Sequence, residues 1–147
     1  MTHGVDTSFL VAVEVVEHVH HAEALRLLKD LLARGDRVAV APQVLTEFVH
    51  VVTDGRRFAQ PFSMNMALEK SESWWNAAET EQVQPTDLAV TRFHGWMRGH
   101  QLGRKRVLDT FLAATYYAAD VTSLLTLDAA DFAVFGEFTC MPIPVGG

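Results

Sequence analysis

Short apolar runs alternate with longer amphipathic stretches along this chain. Gly4-Val5-Asp6 reads as the end of a short first strand, and Thr7 or Ser8 is placed to cap a helix running to about Val16. HAEALRLLKDLLARG predicts a second helix, with Leu25, Leu28 and Leu32 on one face and Gly35 as its stop. RVAVAP reads as a strand, after which Pro42 opens a helix to about Asp54, stopped by Gly55. SMNMALEKSESWWNAAE reads as a further helix and QVQPT as a short strand. Thr86 caps the predicted helix DLAVTRFHGWMRGHQ, and Val107 to Ala119 is helical. SLLTL has the composition of a buried strand, and CMPIPV fits only a sheet edge because of its two prolines. Strands alternating with helices predict an α/β domain built on a mainly parallel sheet.

The length of 147 residues suits one domain spanning 1–147, and an apolar content of 49% supplies a sizeable core. No apolar run approaches the roughly 20 residues of a membrane span. The first residues, MTHGVDTSFLVAVEVVE, lack the basic start of a signal peptide. Cys140 is the only cysteine, which excludes an internal disulfide and a cysteine-based metal cage and makes a reducing, cytoplasmic setting the default. The net charge of −6 argues against a general nucleic-acid binder. The segment from Leu88 to Leu108 changes that picture locally. It carries Arg92, Arg98, Arg104, Lys105 and Arg106 with no acid. Such a run is usually a solvated helix end. Here it stops just before an acid of interest, which makes Arg104, Lys105 and Arg106 candidate phosphate contacts.

Four acids carry the candidate chemistry: Asp6 in VDTSFL, Glu47 in PQVLTEF, Asp109 in RVLDTFLAATYYA and Asp128 in LLTLDAADF. Asp6 and Asp128 fall at strand ends, where parallel sheets keep their sites. Glu47, with Val44, Phe48 and Val51 around it, is expected along the apolar stripe of its helix. Asp109 sits in a first helical turn, which favours negative charge and bound phosphate. Any one of these acids alone is most simply a cap or a surface carboxylate. Converging, they would repel one another unless one or two Mg²⁺ or Mn²⁺ ions joined them. Such ions activate a water for phosphodiester hydrolysis without a protein nucleophile.

In order and spacing over nearly the whole chain, DTSFL, LTEF, LDTFLAATYYA and LLTLDAADF resemble the PIN-domain nucleases, above all the VapC toxins of bacterial toxin–antitoxin pairs. The resemblance implies a three-layer α/β/α fold and assigns metal binding to Asp6, Glu47, Asp109 and Asp128. Its hydroxyl near the last acid maps to Thr126, and the one after the first acid to Thr7 or Ser8. Asp131, followed by Phe132, matches the family's closing acid–Phe pair. It lies three residues after Asp128 where many relatives leave two, so either acid could face the metal; Asp128 is preferred because it directly follows the strand. The implied activity is Mg²⁺-dependent endoribonuclease cleavage of single-stranded or structured RNA, leaving 5′-phosphate and 3′-hydroxyl ends. A homodimer and a cognate antitoxin covering the active-site groove are implied as well.

Other readings compete. A nuclease of the same fold with a housekeeping role or a DNA substrate fits the same residues. So does a non-catalytic binding module, although such a module has no reason to keep like charges together. Glu17-x-x-His20 and Glu47-x-x-His50 match di-iron bundle spacing, but RVAVA and SLLTL are strands. The HVHH run at 18–21 reads as a solvated turn, with an incidental Zn²⁺ or Ni²⁺ site as the alternative. Haloacid-dehalogenase-like phosphatases need an acid where Ser8 stands, and response-regulator receivers need an acidic pair near the first strand; neither pattern is present. Trp74 and Trp75, with Phe58, Phe62, Met64 and Met66, read either as core with partial exposure or as an apolar surface for a dimer mate or antitoxin helix. Arg56-Arg57 is a weaker candidate for contact with RNA or an antitoxin acid.

Overall fold

A computed structural model describes residues 1–143. Its centre is a five-stranded, wholly parallel sheet. In chain order the elements are β1 (Thr2–Val5), α1 (Thr7–Glu14), α2 (His21–Ala33), β2 (Arg37–Val40), α3 (Pro42–Val52), α4 (Met64–Asn76), β3 (Thr80–Gln82), α5 (Asp87–Gly99), α6 (Val107–Ala118), β4 (Ser123–Leu125), α7 (Ala129–Ala133) and β5 (Thr139–Cys140). The strand order is β3-β2-β1-β4-β5. The chain winds outward from β1 to β3, then crosses back to lay β4 on the other side of β1. α1 to α4 pack with one another, as do α5 to α7, and the usual right-handed crossover sets the two groups on opposite faces in a three-layer α/β/α architecture.

Local chemistry explains most boundaries. Pro42 occupies the first turn of α3, Ser63 caps α4 by accepting from the Met66 amide, and Thr86 caps α5 by accepting from Ala89. Gly35 leaves α2 with φ +91°, a conformation that favours glycine. The buried face of α2 is Ala24, Leu28 and Leu31, with Leu25 and Leu32 flanking it. The cap of α1 differs from the sequence expectation. Asp6 itself takes the role assigned to Thr7 or Ser8, accepting from the Thr7 amide at 2.8 Å, and the helix ends at Glu14. β3 lies two residues earlier than QVQPT. α7 was not foreseen. The edge reading of CMPIPV holds for Cys140, paired beside β4, while Pro144 and Val145 lie outside the described residues.

Two buried polar devices lock the sheet. At its amino end, His3 is fully buried, with Nδ1 2.6 Å from the Ser123 hydroxyl and Nε2 2.8 Å from Asp36. At its carboxyl end, the buried Tyr116 of α6 donates its hydroxyl to the Val5 carbonyl (2.6 Å) and accepts from the Ala41 amide (3.3 Å). Its ring lies flat over Gly4, where a Cβ would sit 2.8 Å from Cδ2. Trp74 is the tryptophan of its pair that turns inward, donating to Glu14 at 2.8 Å. Among the described residues no helix is long and apolar enough to cross a membrane.

Candidate active site

The sheet order reverses between β1 and β4, and the crevice outside their carboxyl ends is the topological switch point of such a fold. Asp6 leaves β1 into that crevice, its amide held by the Leu125 carbonyl of β4 at 3.0 Å. Asp6 is buried, and a hydroxyl network fixes it. Thr126 donates to Oδ2 at 2.6 Å, Ser8 stands 3.1 Å from the same oxygen, and the Thr7 amide holds Oδ1. Ser8 in turn accepts from the Leu127 amide (3.0 Å), and Thr126 accepts from the Asp128 amide (3.0 Å). Two chain segments far apart in sequence are thereby sewn together around one carboxylate.

Three further acids border the crevice. Asp6, Glu47 and Asp109 line two adjoining cavities. The first, of about 300 Å³, has an apolar wall of Val44, Leu108, Phe111 and Leu112. The second, of about 430 Å³, is more polar and is bordered by Ser8 and Asp128. Glu47 is exposed at the rim, so its expected place along the buried stripe is corrected. Val44, Phe48 and Val52 form that stripe, and Glu47 stands at its edge. Asp128 is exposed too, at the start of α7.

The carboxylates are close enough to perturb one another. Burial pushes Asp6 up most, against the pull of its hydrogen bonds, and Asp128 adds to the rise. The Glu47 carboxyl is raised by partial desolvation between the cavity walls and then by Asp6. Asp109 is pushed up to about 6 by burial, then by Asp6, Asp131 and Glu47, with Arg106 opposing. Asp128 thus acts on Asp6, and Asp131 on Asp109. Asp128 lines the polar cavity and Asp131 lines neither.

Among the described residues, no three His, Cys, Asp or Glu side chains stand close enough together to hold a metal ion as they are. The donor set around the cavities is nevertheless all oxygen, anionic and repulsive, which suits a hard divalent cation. The fit is thus one of chemistry, with the carboxylates spread around the crevice.

A model of the PIN domain family matches residues 5–137, a span that runs from the residue before Asp6 to beyond Asp131. The chain belongs to the PIN domain family. Among solved structures, this PIN domain is similar to Mycobacterium tuberculosis VapC20, a Sarcin-Ricin loop cleaving toxin, at 18% identity and a TM-score of 0.70, over 95% of this chain and 97% of that one. It is also similar to VapBC2 from Rickettsia felis bound to a DNA fragment from their promoter (14%, TM-score 0.68, 96% and 98%). VapBC-1 from nontypeable Haemophilus influenzae is a third (13%, TM-score 0.65, 96% and 97%). At these identities the likeness is one of fold. No curated protein sequence matches the chain.

The basic run of this PIN domain divides. Arg104 and Lys105 are exposed on a 3₁₀ turn, and Arg106 donates to the Asp131 carbonyl while facing Asp109. None of the three lines either cavity. Arg92 lies over the Trp96 and Tyr117 rings, packed against α6. Sequence reasoning missed His18, which lines the polar cavity, and undervalued Arg57, which lines it too. The HVHH run is the turn that its sequence predicts, and the structure adds that His18 within it faces the polar cavity.

Proposed function

We propose that this PIN domain, as a single domain over 1–147, is a Mg²⁺-dependent endoribonuclease and the toxin of a toxin–antitoxin pair, with Mn²⁺ able to substitute. The observation that carries the reading is the meeting of Asp6, Glu47 and Asp109, with Asp128 beside them, in the switch-point crevice. The PIN family match and the likeness to VapC20 support it. Asp6, Glu47, Asp109 and Asp128 are the residues to hold the cation, with Asp131 as the alternative to Asp128. Bound there, Mg²⁺ supplies an acidified water and neutralises charge at the phosphate. The chain's own residues do the rest. Thr126 and Ser8 aim Asp6, and both act through it, so Thr126 is a positioning residue. The packing around the end of β1 buries Asp6 at the crevice floor. A homodimer and a cognate antitoxin complete the proposal, and the exposed apolar side chains Met64, Met66 and Leu68 on α4 offer a face for such contacts.

The test is cleavage of total cellular RNA by purified, antitoxin-free protein with Mg²⁺ or Mn²⁺, and with EDTA. Discrete fragments that vanish with EDTA are expected; intact RNA with well-folded, metal-supplied protein would refute the reading. Thr126→Val removes both the donor to Asp6 and the acceptor for the Asp128 amide. It is expected to weaken activity or apparent Mg²⁺ affinity about 10–100-fold, as loss of an orienting partner does. A metal titration of initial rates reads it, and an unchanged curve counts against the positioning role.

A further inference from the structure

An acidic crevice that accepts a phosphodiester needs more than a cation; it needs donors for the phosphates on either side of the scissile one. Among the described residues, Arg57 is the one Lys or Arg side chain that lines either cavity beside the acids. Among the described residues its ion-pair partner is Asp54, at 3.5 Å with both side chains partly exposed, which leaves most guanidinium donors unused. His18 lines the same cavity. The His20 amide donates to His18 Nδ1 at 3.0 Å, so the neutral ring carries its proton on Nε2. Burial first, then His20 and His21, hold His18 below its ordinary range, so the ring is neutral near pH 7 and offers an N–H donor without charge.

These two residues sit on irregular segments, the turn after α1 and the loop after α3, and both segments are held. The His18 amide donates to the Val15 carbonyl, and the His18 carbonyl accepts from His21. In the loop, Asp54 accepts from the Arg56 amide at 2.8 Å, and the Phe62 amide returns to the Val52 carbonyl at 2.9 Å. Glu17 bridges the two segments, one carboxylate oxygen accepting from the Ala59 amide (3.2 Å) and the other from Gln60 (3.1 Å). The bridge ties the turn that carries His18 to the loop that carries Arg57.

We infer that Arg57 and His18, held in register by Glu17, form a phosphate-binding subsite for the RNA strand in the polar cavity beside the acids, and that Arg104 and Lys105 do not. The inference rests on the nuclease reading and assigns its substrate contacts. Arg57 supplies the charge and His18 a directional donor. Glu17 is a positioning residue that touches no substrate.

The test is fluorescence anisotropy of a short labelled single-stranded RNA on the full chain carrying Asp109→Asn, which prevents cleavage, with Mg²⁺ present over a range of salt. Adding Arg57→Ala is expected to weaken binding about 10-fold and to lower the slope of log K against log salt by about 1, the signature of one lost phosphate contact. His18→Ala weakens binding with the slope unchanged, because the lost donor is neutral. Glu17→Ala weakens binding as Arg57→Ala does, and the double variant binds no worse than Arg57→Ala alone, an interaction that a merely structural loss would not give. Arg104→Ala leaves affinity within about 2-fold. Thermal unfolding of each variant confirms the fold. Unchanged affinity and slope in both Arg57→Ala and His18→Ala, or loss confined to Arg104→Ala, overturns the subsite. Wild-type cleavage, measured separately, isolates the other failure. If RNA is cut but Arg57 is silent, only the subsite falls; if RNA is neither cut nor bound, both fall.

Discussion

Replacing Asp109 with asparagine will abolish metal-dependent RNA cleavage and, at neutral pH without metal, make the protein more stable. Both effects come from one cause. The Asp109 carboxyl is pushed up to about 6 by burial and by three neighbouring acids, against about 3.9 in an unfolded chain. The folded protein therefore holds that proton more tightly than the unfolded one. Below about pH 4 both forms carry it, and the site costs nothing. As pH rises from about 4 to about 6, the folded state must ionise a carboxyl that resists, so stability falls. Above that window the full cost is present, on the order of 1–2 kcal/mol after allowance for solvent screening. Asparagine does not ionise. Its gain should be absent near pH 4 and worth a few degrees, about 2–8 °C, at pH 7.5. Mg²⁺ should then narrow the difference, because it stabilises only the protein whose carboxylates hold it. Thermal unfolding at the two pH values, with and without Mg²⁺, measures this. Equal melting temperatures at pH 7.5 together with retained cleavage would remove Asp109 from the site.

The second large effect is predicted at Gly4. A methyl group there meets Tyr116 Cδ2 at 2.8 Å and Cγ and Cε2 at 3.0 Å. The ring has nowhere to go, being fully buried with its hydroxyl bonded to Val5 and Ala41. Gly4→Ala should cost about 1–3 kcal/mol, at the upper end because the obstacle is a clamped ring. It should also impair activity in whatever protein folds, since α6 carries both Tyr116 and Asp109. Urea unfolding with a parallel rate measurement tests both. A Gly4→Ala protein with wild-type midpoint and wild-type rate would mean that α6 shifts freely on the sheet.

Much of this arrangement was legible in the sequence, and the reason differs by element. Pro42, Thr86 and Gly35 mark helix ends through local backbone chemistry, so a linear reading finds them. The same reading misassigned the cap of α1. Asp6, Thr7 and Ser8 are all good caps, and only the β4 contact that orients Asp6 decides among them. α7 has five residues, too few for a periodic signal, and its place is set by the Asp128 and Asp131 turn. Glu47 was expected along a buried stripe because helical spacing gives a direction but not a depth. Arg104 to Arg106 drew attention by density, while Arg57 and His18 line the cavity through two irregular segments joined by Glu17. Nothing in the spacing of residues 17, 18 and 57 announces that junction.

The two rims of the sheet carry a final consequence. One is β3, three residues long, and the other is β5, with two. An extended peptide recruited by main-chain pairing needs a run of unpaired amides and carbonyls to lie along, and among the described residues neither rim's strand is long enough to give much of one. The same brevity guards against stacking into cross-β aggregates. The described rims therefore give a partner little main chain to pair with, and leave helix faces and the crevice mouth as the broader surfaces.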